Sequence, residues 1–303
     1  MSTLQNKLLS IDRGILFMLL ASICFAFMTG FVKVLNQNLP PLEVTFFRNV
    51  FGVIIITATI WKFPIKQIGG KPFLLFFRGM MGFLALLAYF YIIAYIPLGE
   101  AVTYNKLSPI FVAIFAYIFL KEELSKWAYF AVILGFTGII LIAKPDGLSF
   151  DKYDMLGIFS GIGAALAYTS IRELRKYYDT RSIVLSFMGI GTIAPIILMI
   201  ITPYINAPEL DFLFAEFVMP EGINWLFIAG MGFFATISQF LMTKAYELSK
   251  AGIVGTISYS NIVFATIIGV MLGDSMPDMW TILGIILVIS SGLLVSMPTS
   301  KGK

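Results

Sequence analysis

The chain is 303 residues long, 59% hydrophobic and only 13% charged, with a mean hydropathy of +0.91. Soluble domains carry about a quarter charged residues, so these values exclude an ordinary soluble protein and point to a lipid-embedded one. The net charge of +4 is scattered, which argues against nucleic acid as a partner, and one cysteine with no histidine excludes disulfides and most metal chemistry.

At about 20 residues per crossing, the apolar stretches predict ten spans, near 14–35, 42–61, 72–96, 99–120, 126–144, 154–174, 182–204, 223–247, 252–273 and 279–297. The first is too long for a signal-peptide core and is expected to be retained, with Cys24 inside it as a packing residue.

The connections sort by charge. Those after the even-numbered spans carry Lys62, Lys66 and Lys71, then Lys121 and Lys126, then Arg175, Lys176 and Arg181, then Lys244 and Lys250, and the tails add Lys7, Arg13, Lys301 and Lys303. The alternate connections hold mostly acids, among them Glu209, Asp211, Glu216, Glu221, Asp274 and Asp278, against few bases such as Lys144 and Lys152. By the positive-inside rule both termini are cytoplasmic.

The two halves repeat. The stretch from Leu86 aligns without a gap to that from Ile237, matching Ala94-Tyr95 to Ala245-Tyr246 and Glu123 to Asp274. Each is followed by a tryptophan (Trp127, Trp280), a glycine-containing apolar helix and a proline (Pro145, Pro298). Five spans per repeat is an odd number, so the second copy sits upside down relative to the first, the inverted-repeat plan of secondary transporters with a site near the midplane between the halves.

On these residues the chain resembles the EamA family of the drug/metabolite transporter superfamily. FMTGFVKVL with Lys33, PPLEVTFFR with Arg48, AYIPLGEAVTYNKLSPIFVAIFAYIFLKEEL with Pro109 and Glu122/Glu123, and GFTGIILIAKP carry the resemblance in the first copy. The second copy departs from it, with Gly273-Asp274 in place of a glutamate and no proline opposite Pro109. The resemblance implies an all-α integral membrane carrier, ten transmembrane helices arranged as two inverted five-helix EamA repeats, 1–147 and 148–303.

A charge at a helix centre costs roughly 2.5–3.5 kcal/mol on insertion scales, so each in-span cation needs water or a function. Lys33, close to the outer end of the first span, is expected to snorkel. Arg48 either snorkels or faces a cavity, and Arg78, entering from the cytoplasmic end, is expected to anchor that end. Lys106 is the sharpest candidate, since it lies deep in the fourth span beside Thr103, Tyr104, Asn105 and Ser108, and Pro109 then removes a backbone donor. Its alternative is a structural ion pair with Glu100.

The equivalent stretch GIVGTISYSNIVF supplies Thr256, Ser258, Tyr259, Ser260 and Asn261, while Thr236, Gln239 and Thr243 recur at helical spacing in the eighth span. Tyr89 and Tyr168 offer stacking or hydroxyl contacts, or plain aromatic packing. The candidate substrate-binding set is therefore Arg48, Tyr89, Asn105, Lys106, Tyr168, Gln239, Tyr259 and Asn261, with no catalytic or metal residues.

No span holds a carboxylate at its centre, since Glu43 and Glu100 lie near outer ends and Glu173 and Glu247 near inner ones. The net basic in-span charge leads to the expectation of a non-ATP carrier in the cell membrane for a carboxylate-bearing or zwitterionic metabolite. No cofactor is expected. A small molecule and the lipid bilayer are the expected partners, with homodimerisation left open. A membrane-embedded enzyme or a non-transporting receptor is the alternative, although no GxSxG elbow or intramembrane aspartyl pair is present.

Overall fold

An apolar solvent offers the backbone no hydrogen bonds, so each spanning segment satisfies its own by forming a helix. The structure is a computed structural model that describes residues 13–65, 67–120, 126–143, 151–205, 207–248 and 257–295. Lys66, Lys121, Glu122, Glu123, Lys144, Pro145, Lys250, Thr256, Pro298, the 147/148 boundary and both tails lie outside the described residues, as do the side chains of Lys126, Thr243 and Glu247.

The described helices are α1 (Arg13–Leu35), α2 (Pro41–Lys62), α3 (Pro72–Tyr95), α4 (Leu98–Asn105), α5 (Ser108–Leu120), α6 (Lys126–Ala143), α7 (Lys152–Leu174), α8 (Thr180–Ile201), α9 (Asn224–Leu248), α10 (Ser260–Met271) and α11 (Met279–Val295). Pro41 and Pro72 open α2 and α3, where a missing N–H is harmless. Asp151 and Asp154 cap α7 reciprocally, and Asp179 caps α8. By length and composition seven runs can cross a membrane, with α4 and α5 counted as one; Tyr129–Ile142, Ser260–Met271 and Met279–Leu294 are shorter apolar helices. All four tryptophans (Trp61, Trp127, Trp225, Trp280) are exposed near helix ends, where a membrane interface favours them.

The packing obeys an exchange rule. α1 packs on α9 as α7 packs on α3; α1 packs on α10 as α7 packs on α4 and α5; α2 packs on α9 as α8 packs on α3. The pairs α2/α8, α4/α10 and α6/α11 map onto themselves. Glycines set the closest crossings: a Cβ at Gly138 would lie 2.7 Å from the Gly284 carbonyl, and one at Gly284 2.6 Å from the Gly138 carbonyl. Gly157, Gly161 and Gly163 of α7 seat Tyr104, Leu107 and Ala85, the packing role that small residues serve between membrane helices.

The connections gather on two faces. On the first, the Ile68 and Gly69 N–H groups donate to the Tyr177 carbonyl at 3.1 and 2.8 Å, Arg181 Nη1 donates to the Phe63 carbonyl at 2.7 Å, and Lys71 pairs with Glu173. Glu173 also pairs with Lys176, three residues on. On the second, Asn36 donates to the Phe90 carbonyl at 2.8 Å, the Val218 N–H to Glu43 at 3.0 Å and the Tyr91 hydroxyl to Asp211 at 2.7 Å, with ion pairs Lys152–Asp211 and Lys33–Asp274. Helix α1 ends on this second, acidic face and α7 begins on it.

Candidate functional site

The fourth apolar run is broken. α4 stops at Asn105, Lys106 and Leu107 form a turn, and α5 starts at Ser108. Pro109 has no N–H to offer the Asn105 carbonyl, and its ring crowds that carbonyl, so the helix yields one turn earlier. Residue Tyr259, just before α10, is likewise a turn residue. The two breaks meet: the Tyr259 hydroxyl donates to the Lys106 carbonyl at 3.3 Å. Gly292 makes this contact sterically feasible, since a Cβ there would lie 2.0 Å from the Tyr259 ring.

Unmatched polar groups flank this seam. Among the described residues the side chains of Asn105 and Lys106, both half-buried, meet no hydrogen-bond or ion-pair partner. Ser260 Oγ and Asn261 Oδ1 are sealed and unpartnered. The alternative pairing of Lys106 with Glu100 is not formed; Glu100 instead accepts from Thr281 Oγ1 at 3.3 Å.

A second group lies where α2, α3 and α8 meet. Arg48 and Arg78 are each 6% exposed and face the same Phe187 ring, with Cζ 5.4 and 5.1 Å from its centroid. Arg48 Nη1 donates to Asn49 Oδ1 at 3.0 Å, both Nε atoms are sealed without a partner, and neither guanidinium has a carboxylate among the described residues. Cation–π contacts return about 0.5–2 kcal/mol each, less than the roughly 2.5–3.5 kcal/mol that placing each charge there costs. The pair is left electrostatically unsatisfied.

Tyr168 of α7 is 53% exposed. With Ile171, Arg175 and Lys176 it lines a shallow, wide-open depression of about 550 Å³ on the basic face. On the acidic face, the void beside Glu100, Thr266 and Asp274 measures about 10 Å³, room for one water at most.

Several expectations change here. Lys33 reaches the second face, where it is ion-paired with Asp274 and donates to the Ile96 carbonyl at 3.2 Å, while Asp274 Oδ2 accepts the Leu98 N–H at 2.8 Å. Gly273 permits this turn with φ of +102°. Arg78 does not anchor an interface, because α8 covers it with Phe187. Tyr89 is buried beside Phe90, and its hydroxyl has no partner among the described residues. Gln239 is half-buried and engaged on α9. The structure thus joins Tyr259 to the Lys106 carbonyl and sets Arg48 and Arg78 against one Phe187 ring. Sequence reasoning undervalued Arg78 and did not single out Phe187. The available signal was depth: Arg48 and Arg78 lie about 9–10 Å along their helices from opposite faces, so their stems converge.

An all-helical, two-repeat membrane protein whose turns at Lys106 and Tyr259 meet at the seam, and whose buried Arg48 and Arg78 meet no acid among the described residues, has the build of a solute transporter. The model of the EamA-like transporter family matches residues 12–144 and again 151–297, and the chain belongs to that family. It is 33% identical to an uncharacterized transporter of Helicobacter pylori over 94% of this chain and 95% of that one. It is 32% identical to the pseudopaline exporter CntI of Pseudomonas aeruginosa over 95% and 97%. A crystal structure at 17% identity shares the fold, with a TM-score of 0.55 over 91% of this chain and 95% of the other.

Proposed function

We propose that the protein is a secondary, non-ATP carrier in the cell membrane that moves a carboxylate-bearing or zwitterionic small metabolite by alternating access. The observation that carries this reading is the buried cation set, Arg48 and Lys106, without a carboxylate partner among the described residues. Around it, Tyr89, Asn105, Tyr168, Gln239, Tyr259 and Asn261 supply hydroxyl and amide contacts to the same solute.

Ten crossings in two inverted repeats, 1–147 and 148–303, fit the exchange rule in the packing and the two loop faces. With the basic face cytoplasmic, as the positive-inside rule requires, both termini are cytoplasmic. The conformation then has its acidic outer face locked and its inner cleft open. The names of the relatives support carriage as the activity.

The test is flux in proteoliposomes holding the purified protein, run against a metabolite library with and without a pH gradient. Saturable uptake or release of a carboxylated solute is expected, weakened at least tenfold by Lys106→Ala and by Arg48→Ala. Undiminished rate and affinity in both variants would sink the assignment.

A further inference from the structure

We infer that Arg48 and Arg78, both set against the Phe187 ring, form one clamp for a solute bearing two anionic groups. This rests on the carrier reading and narrows it to dianions: dicarboxylates or phosphate esters.

The two guanidiniums approach one ring to 5.4 and 5.1 Å, so their Cζ atoms are at most about 10.5 Å apart. Like charges that close, in a site sealed from bulk water, raise each other's energy. Natural helices tolerate this where a bound group relieves it. Among the described residues, only one of the N–H groups on the two forks, Arg48 Nη1, meets a protein acceptor. A guanidinium fork matches a carboxylate or phosphate edge in a bidentate fashion, so a monoanion satisfies one fork and leaves the other stranded. Two anionic groups on a short spacer satisfy both.

The position of the pair separates a solute from a lipid headgroup. Arg48 is the eighth residue of α2, counted from the acidic face, and Phe187 the eighth of α8, counted from the basic face. They occupy equivalent places in the two repeats and face each other across the self-paired α2/α8 contact, at a depth lipid phosphates do not reach. On the basic face, Arg175 and Lys176 line an open depression together with Tyr168. Cations at a cleft mouth raise the local anion concentration.

Full-length protein in phosphatidylcholine nanodiscs is titrated with succinate, glycerol 3-phosphate and butyrate, with Tm as the readout. Succinate or glycerol 3-phosphate is expected to raise Tm saturably with at least tenfold tighter apparent affinity than butyrate, and the tighter of the two distinguishes a dicarboxylate from a phosphate ester. Arg48→Met and Arg78→Met each abolish that preference and raise the ligand-free Tm by about 2–4 °C, because an uncompensated buried charge is gone. Arg78→Lys substitutes wherever Arg78→Met does not fold, and loses the preference while keeping the charge. Lys106→Ala weakens all anions alike.

A dianion-to-monoanion ratio near one in the wild type overturns the clamp, as does a ratio unchanged in either arginine variant or a fall in ligand-free Tm in both. A Tm rise on exchange into phosphatidylglycerol that competes with succinate also overturns it, by assigning the clamp to a headgroup. Monocarboxylate binding at a ratio near one removes the clamp and leaves the carrier reading standing. Flux indifferent to Lys106→Ala and Arg48→Ala removes both.

Discussion

The side chains of Lys33 and Asp274 are 15% and 11% exposed, and Asp274 spends its second oxygen on the Leu98 N–H. Removing one partner of such a pair strands the other charge, which costs about 3–5 kcal/mol, while replacing both with apolar groups is often neutral. Asp274→Asn keeps an acceptor for Leu98 but discards the charge, so destabilisation of about 3 kcal/mol is expected. Lys33→Met with Asp274→Leu should recover most of it. Denaturation of the wild type, Lys33→Met, Asp274→Leu and their double variant measures the coupling, and additive losses would show that the pair is not a unit. The lock was hidden in the sequence because depth along a helix is legible from residue counts, whereas the group facing Lys33 arrives from the distant α10–α11 connection. Arg78 was misjudged for the same reason: Phe187 covers it from another repeat. Lys106 was legible, since Pro109 and its polar neighbours announce a broken helix within a few residues.

At the scale of elements, the bilayer does most of the specifying. Membrane thickness fixes how long an apolar run must be, which is why α1, α2, α3, α7 and α8 begin and end within two or three residues of their expected limits. The turn at Tyr259 was not legible, because no proline marks it and only the pairing with Lys106 explains it. Helix contacts were likewise hidden: a lipid-facing and a partner-facing glycine look alike in sequence. The crossing of α6 and α11 is the sharpest instance, each glycine facing the other's backbone carbonyl at 2.7 and 2.6 Å from where a Cβ would stand. Backbone cannot swing aside as a flexible side chain does. Gly138→Ala should therefore force the pair apart and cost about 1–3 kcal/mol, read as a fall in Tm of the purified protein. Gly189→Ala, with nothing within 4 Å of its Cβ, is the matched control and should leave Tm nearly unchanged. Equal shifts in the two variants would dispose of the close-crossing account.

The whole molecule joins these scales through its exchange symmetry. If the two halves are equivalent in design, an arrangement closed on the acidic face and open on the basic one has a counterpart with the roles reversed, and transport is passage between them. The closed side is held at Lys33, Asp274 and Leu98 on α1, the α10–α11 turn and α4, all of which must separate for the solute to leave on that face. A covalent bond across that lock should therefore arrest the cycle in one state. In a background where the single native cysteine is removed by Cys24→Ala, Lys33→Cys with Asp274→Cys is oxidised in the membrane. Flux is expected to fall at least tenfold on oxidation and to return on reduction. Tyr168→Cys, placed at the cleft in the same background, should stay reactive toward a charged thiol reagent applied from the basic face while the lock is oxidised, because that face remains open. Reactivity from the acidic face should be absent until reduction. Undiminished flux through the cross-linked protein would mean that the acidic face does not move, and a Tyr168→Cys thiol protected from the basic face on cross-linking would place the opening on the wrong side.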